Sequence, residues 1–99
     1  MGASAIAPGQ LASHYSPAKP LRLDAESAHH DEWGMGFGPT SCDDNLSVMG
    51  DLVEAASNLF EALHRADASP ARRIAVTPIP SCGIGLAIND RLRRAAHPG

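Results

Sequence analysis

Hydrophobic residues between Asp51 and Ala66 recur at helical spacing, while the charged and amide residues fall mostly on the opposite side. This spacing predicts an amphipathic helix with one buried face. Asp51 suits the positive end of the helix dipole, and Pro70 follows closely enough to mark the end of the helix. The apolar positions are Leu52, Val53, Ala56, Leu59, Phe60 and Leu63.

Two segments nearer the N-terminus alternate in the manner of strands. Leu21 and Leu23 alternate with charged residues, which predicts a short strand at an edge of a sheet. Residues 33–38 alternate bulky apolar side chains with glycine, which predicts a second strand whose glycine face allows close packing by another element. Residues 26–32 are too few and too polar for more than a turn of helix, and residues 39–45 are predicted to be a loop.

A third strand and a second helix are predicted after the long helix. Residues 74–79 form an apolar run that predicts a buried strand, and prolines mark its end. Residues 89–96 continue a helix whose apolar positions are Leu86, Ile88, Leu92 and Ala95 or Ala96. This alternation of strand and helix implies a right-handed crossover and a parallel sheet. We therefore predict an α/β fold, a small Rossmann-like three-layer sandwich with a mainly parallel sheet.

Length and composition fit one small globular domain. The chain has 99 residues, of which 43% are hydrophobic, so a second domain has no room. Cys42 and Cys82 lack the spacing of a zinc site or a disulfide framework, and reduced thiols are the default interpretation. No segment has the pattern of a signal peptide or approaches the roughly 20 apolar residues that span a bilayer. A soluble, cytoplasmic protein without membrane contact is expected.

Charge is distributed unevenly along the chain. The net charge is -3, but residues 69–99 carry five arginines against one acid. Arg91, Arg93 and Arg94 lie on the predicted C-terminal helix, where a basic patch would meet RNA phosphates. The simpler interpretation is a solvated face, because arginines in the last turn of a helix complement its negative end.

The segment Ser81-Cys82-Gly83-Ile84-Gly85 joins the predicted buried strand to the last helix. Free backbone amides and the helix dipole can receive an anion at such a position, which makes Ser81, Gly83 and Gly85 a candidate anion loop. The segment lacks the third glycine of the dinucleotide motif and the Lys-Ser/Thr ending of a phosphate-binding loop. A structural turn is therefore the simpler interpretation.

The remaining histidine, acidic and cysteine side chains show no sequence pattern typical of a catalytic site. The segment His29-His30-Asp31-Glu32 has metal-capable side chains, but adjacent side chains point in different directions, so a solvated loop is favoured and no metal is expected. The sequence identifies no base that would activate either cysteine. It also shows no paired carboxylates, so catalysis by this chain alone is not indicated.

The first part of the chain carries the most specific pattern. On physical grounds, APGQLASHYSP at residues 7–17 is a tail interrupted by proline and glycine. Together with three later segments, it resembles the C-terminal accessory domain and interdomain linker of the two-domain threonylcarbamoyl-AMP synthases. The later segments are residues 45–67, 74–80 and 83–96. The resemblance covers residues 7–97 and implies a linker at residues 1–19 followed by an accessory domain at residues 20–99.

The resemblance implies a role for the linker. In the two-domain synthases a segment usually written SPGM, followed by HYxP, crosses the mouth of the catalytic pocket. Ala7 and Gln10 replace the usual serine and methionine, so pocket contacts are not carried over to those two positions. The positions that do match are Pro8, Gly9, His14, Tyr15 and Pro17.

The resemblance also implies a reaction and a partner. These synthases are nucleotidyltransferases that join L-threonine, bicarbonate and ATP into threonylcarbamoyl-AMP, with release of pyrophosphate, for tRNA threonylcarbamoyladenosine modification. ATP and magnesium belong to a YrdC-like catalytic domain, which nothing in this chain resembles, so no cofactor is expected here. The leading hypothesis is a non-catalytic domain that anchors a gating linker for that partner, in cis or in trans. The alternatives are a free-standing nucleotide- or anion-binding module and a tRNA-contacting module.

Overall fold

A four-stranded parallel sheet and two helices make up the regular structure of residues 16–96, which are the residues that the computed structural model describes. The strand order across the sheet is β1-β4-β2-β3, and all three strand pairs are parallel. The predicted α/β class and parallel sheet are confirmed. In chain order the elements are β1 (Leu21–Arg22), β2 (Glu32–Gly36), β3 (Asp44–Asn45), α1 (Leu52–Ala68), β4 (Arg73–Val76) and α2 (Gly85–Ala96).

The strand register assigns side chains to two faces of the sheet. Leu21 of β1 and Trp33 of β2 both lie opposite Ile74 of β4. Neighbours in register share a face, and all three of these side chains belong to or pack against the hydrophobic core that the helices cover. The neighbouring positions, including Arg22 and Gly34, therefore face the other side. β1 lies at an edge of the sheet, as its sequence predicts.

The prediction of a loop over residues 39–45 is wrong at its end. Asp44 and Asn45 form β3, in register with Met35 and Gly36 of β2. The Asn45 side chain donates a hydrogen bond to the carbonyl of Gly38 at 2.9 Å, which helps to hold the strand in place. A strand of two half-buried polar residues has no alternation for a sequence pattern to detect.

Helix α1 begins where the sequence predicts and continues two residues further, to Ala68. Asp51 is its N-cap and accepts hydrogen bonds from the amides of Val53 and Glu54 at 2.9 and 3.4 Å. Such a cap contributes about 1 kcal/mol. Val53 is 66% exposed, so the apolar pattern extends beyond the face that α1 buries. The buried positions are Ala55, Leu59, Ala62, Leu63 and Ala66.

Helix α2 corrects one predicted apolar position. Its buried residues are Gly85, Ile88, Leu92 and Ala95, which follow one line along a helix of 3.6 residues per turn. Leu86 lies off that line and is 58% exposed, so its assignment to the apolar positions of the buried face is wrong. Both helices contribute to one hydrophobic core with the sheet.

Loops cover the other face of the sheet. A side chain at Gly34 would approach Ala28 to 3.2 Å, and one at Gly36 would approach the Cys42 sulfur to 2.6 Å. The glycines of β2 therefore allow the close packing that the sequence predicts, with loops as the covering layer among the described residues.

Candidate functional site

The chain enters the domain at the C-terminal end of α1. The amide of Ala18 donates to both carboxylate oxygens of Asp67, at 3.1 and 3.3 Å. The Lys19 ammonium group donates to the Ala66 carbonyl at 3.0 Å, to the Ser69 hydroxyl at 3.2 Å and to the Ser69 carbonyl. A cation at this position meets the negative end of the helix dipole and carbonyls that lack a helical partner. We call residues 17–19 the anchor.

The anchor coincides with the end of the predicted linker. Pro17, one of the five matching linker positions, is buried. The other four, Pro8, Gly9, His14 and Tyr15, lie outside the described residues. The structure therefore places residues 17–19 at the C-terminal end of α1, and both the linker and its pocket contacts stay a prediction.

The predicted anion loop is a tight turn before α2. Gly83 has a φ of 54°, in the left-handed region that favours glycine. A side chain on Gly85 would fall far inside contact distance of the Pro80 carbonyl oxygen. The Gly85 amide donates to the Cys82 carbonyl at 2.8 Å, and the Leu86 amide donates to the Gly83 carbonyl at 3.1 Å. The geometry of the turn thus explains why glycine occupies both positions, and anion binding at this turn stays a prediction.

The three arginines of the predicted basic patch do not point in one direction. Arg94 pairs with Asp90 one turn earlier, at 3.0 Å on the exposed surface. Arg91 lies beside Ile84 in the groove between the two helices. Arg93 lies on another side of α2, beside Ser81. RNA contact by these arginines stays a prediction.

The structure brings Ser81 and Arg93 together at a pocket that the sequence does not reveal. This pocket also contains Asp24, Thr77 and Asn89, at the carboxyl ends of β1 and β4 beneath α2. The Asn89 amide donates to the Ile79 carbonyl and to the Ser81 hydroxyl, both at 2.8 Å. Asp24 has a φ of 55°, which is uncommon for a residue with a side chain. Asp24 and Ser81 are far apart along the chain, so no sequence pattern indicates that they line the same pocket.

The acids of the His29–Glu32 segment are held by arginines. The Arg22 guanidinium donates two hydrogen bonds to the Glu32 carboxylate, from Nε to Oε2 at 2.9 Å and from Nη2 to Oε1 at 2.8 Å. The Glu32 side chain is fully buried and also accepts from the His29 amide at 2.8 Å. The hydrogen bonds from Arg22, with help from that amide, lower the pKa of Glu32 to about 2 against the opposing effect of burial.

A second ion pair continues this arrangement. Arg73 donates to the Asp31 carboxylate at 2.7 Å, and this hydrogen bond lowers the pKa of Asp31. Within residues 16–96, no group of three or more His, Cys, Asp or Glu side chains is arranged to hold a metal ion. The two acids of the segment are thus paired with arginines of β1 and β4.

The cysteines and the helices add no further site. Cys42 and Cys82 are both free and exposed. Neither helix of the described part of the chain is long and apolar enough to cross a membrane.

The fold and the anchor define a class of protein. The described residues form a small parallel α/β domain whose first described segment is hydrogen-bonded to the end of a helix, and the buried Glu32 carboxylate is paired with Arg22. The family model of the threonylcarbamoyl-AMP synthase C-terminal domain matches residues 1–97. The chain belongs to this family, and the resemblance seen in its sequence is confirmed. Comparisons with curated proteins and with solved structures found no match.

Proposed function

We propose that the chain is the non-catalytic C-terminal domain of a threonylcarbamoyl-AMP synthase and positions the linker that closes the catalytic pocket. The family match over residues 1–97 supports the assignment of the domain. The observation that carries the linker role is the anchor, where Ala18 and Lys19 bind the C-terminal end of α1. The catalytic partner is a YrdC-like domain that binds ATP and magnesium and forms threonylcarbamoyl-AMP for tRNA modification.

The anchor gives the linker a fixed starting point. A closing segment that is tethered at one end meets its target at a high effective concentration, because closure becomes an intramolecular event. Five donor contacts from Ala18 and Lys19 to the end of α1 hold the domain end of the linker in place. Closure excludes water from the pocket and protects a hydrolysable intermediate. The domain thus supplies position, and its partner supplies the chemistry.

A reconstitution experiment tests this role. The 99-residue chain is titrated into a catalytic domain that lacks its own accessory domain, and ATP affinity and threonine-dependent pyrophosphate release are measured. We expect the chain to bind and to change the rate. Lys19→Met should weaken this effect, because it removes the contacts to Ala66 and Ser69.

Arg94→Gln is the matched control for a change of one positive charge. Among the described residues Arg94 pairs only with its helical neighbour Asp90 at the surface, so this variant should behave like the wild type. Absence of binding and of any rate change with the wild-type chain would contradict the gating role. An equal effect of Lys19→Met and Arg94→Gln would contradict the anchor as its structural basis.

A further inference from the structure

The pocket at the carboxyl ends of β1 and β4 has the position of a ligand site. It lies between these strands and α2, at the edge of the sheet toward which the strands run. Ligands of open parallel sheets bind in the crevice outside the carboxyl ends of the strands. The position alone does not select a ligand, and the selection comes from the charges and the size of the pocket.

Two opposite charges line this pocket without neutralising each other. Neither the Asp24 carboxylate nor the Arg93 guanidinium takes part in an ion pair within residues 16–96. Four other arginines, Arg22, Arg65, Arg73 and Arg94, have a carboxylate partner. Arg72 and Arg91, like Arg93, have none among the described residues, but neither of them lines this pocket. An acid and a base that border one cavity, each without an ion-pair partner among the described residues, suit a ligand that carries both charges.

Size and polarity narrow the class of ligand. The cavity volume is about 120 Å³. This is below the roughly 300 Å³ at which pockets for drug-sized ligands begin, so the enclosed space suits a molecule smaller than a nucleotide. Val76, Ile79 and Leu92 form an apolar floor of buried side chains. A molecule of a few heavy atoms with a short apolar portion fits this space.

We propose that the pocket binds a free α-amino acid with a short side chain. Its ammonium group pairs with Asp24, its carboxylate binds Arg93 and the Ser81 hydroxyl, and its side chain rests on the apolar floor. The Ser81 oxygen accepts a hydrogen bond from Asn89, which leaves the hydroxyl hydrogen to donate to the ligand. A simple anion is disfavoured because the Asp24 carboxylate repels it. This inference does not depend on the proposed function.

The test is a titration of the full 99-residue chain with glycine, L-alanine and L-threonine, followed by amide chemical shifts. We expect saturable changes at Asp24, Thr77 and Ser81. Asp24→Asn and Arg93→Gln should each weaken binding by about tenfold or more, because each removes a charge-assisted hydrogen bond. Asparagine tolerates the left-handed backbone of Asp24, so the first variant preserves the turn.

Three comparisons make the result decisive. Arg94→Gln is the control, since Arg94 does not line the pocket, and it should bind like the wild type. Acetate and methylamine, each carrying one of the two charges, should bind much more weakly than glycine. Ser81→Ala provides an independent variant if Arg93→Gln shows a collapsed spectrum, and it too should weaken binding.

Several outcomes would overturn the proposal. These are the absence of shift changes at the pocket, equal binding by Arg93→Gln and Arg94→Gln, and binding of acetate as tight as that of glycine. The sample contains no catalytic domain, so failure here is separate from failure of the gating role.

Discussion

Acid should destabilise this domain through one carboxylate, that of Glu32. The pKa of Glu32 is about 2 in the folded chain against an ordinary value of 4.5. A lowered folded-state pKa contributes stability that is fully present above the unfolded-state value and is lost as the pH falls toward the folded-state value. The loss from Glu32 therefore falls between about pH 5 and pH 2. Each pKa unit corresponds to about 1.36 kcal/mol.

The geometry sets the size of the effect. The Glu32 side chain is fully buried, but Arg22 is 40% exposed, so solvent screens part of the interaction. Allowing for that screening, we expect about 2–3 kcal/mol of acid-sensitive stability from this pair. Glu32→Gln removes the charge and keeps one carbonyl acceptor for Arg22. At pH 7 the variant should be less stable than the wild type by about 2–3 kcal/mol. Between pH 7 and pH 3 it should lose about 1–2 kcal/mol less than the wild type, because pH 3 lies above the folded-state pKa and part of the contribution remains.

Urea unfolding measures this difference. Trp33, the single tryptophan of the chain, reports unfolding by fluorescence, and circular dichroism provides a second probe. Glu26→Gln is the matched control because Glu26 is exposed, and it should retain the acid sensitivity of the wild type. The reasoning is refuted if wild type and Glu32→Gln lose the same free energy between pH 6 and pH 3.

Four further variants test three other features of the domain, each by urea unfolding against the wild type. Lys19→Met should cost about 1 kcal/mol, since it removes the cation at the end of α1; no loss would contradict the anchor. Asp51→Ala should cost about 1 kcal/mol through loss of the N-cap, and a neutral result would argue against the cap. Gly85→Ala should lower the unfolding free energy by more than about 3 kcal/mol, because the Pro80 carbonyl obstructs a side chain at this position. Gly83→Ala, which meets only an unfavourable backbone angle, should lower it by about 1–2 kcal/mol. Equal losses in the two variants would refute the obstruction.

Periodic burial explains why most of the fold is predictable. The spacing of Leu59 and Leu63 along α1 and the apolar run around Ile74 report directly which side chains face the core. β3 has no such apolar spacing, because its two residues are polar and half-buried. Their strand geometry comes from hydrogen bonding to β2, which a sequence pattern does not report. The prediction for Leu86 is wrong because hydrophobicity alone does not say which side of a helix meets the sheet.

The charged groups are the harder problem for sequence analysis. Adjacent acids at Asp31 and Glu32 suggest one solvated or metal-binding loop, yet each carboxylate binds a different arginine from a different strand. Arg73 lies on β4, which pairs with β2, and Arg22 lies on β1, on the far side of β4. Only the strand order brings both arginines within reach of these acids. Partners separated so far along the chain leave no local pattern, so both the ion pairs and the pocket at Asp24 emerge only from the strand order.

That strand order also connects the anchor to the pocket. β1 follows the anchor directly and leads within two residues to Asp24. Both of its ends are hydrogen-bonded to the β4 segment, where the Ile74 amide donates to the Pro20 carbonyl at 3.0 Å and the Ala25 amide donates to the Val76 carbonyl at 2.9 Å. A strand this short, held at both ends, has little freedom to bend between them. This short strand therefore holds the anchor and Asp24 in a fixed relation to each other.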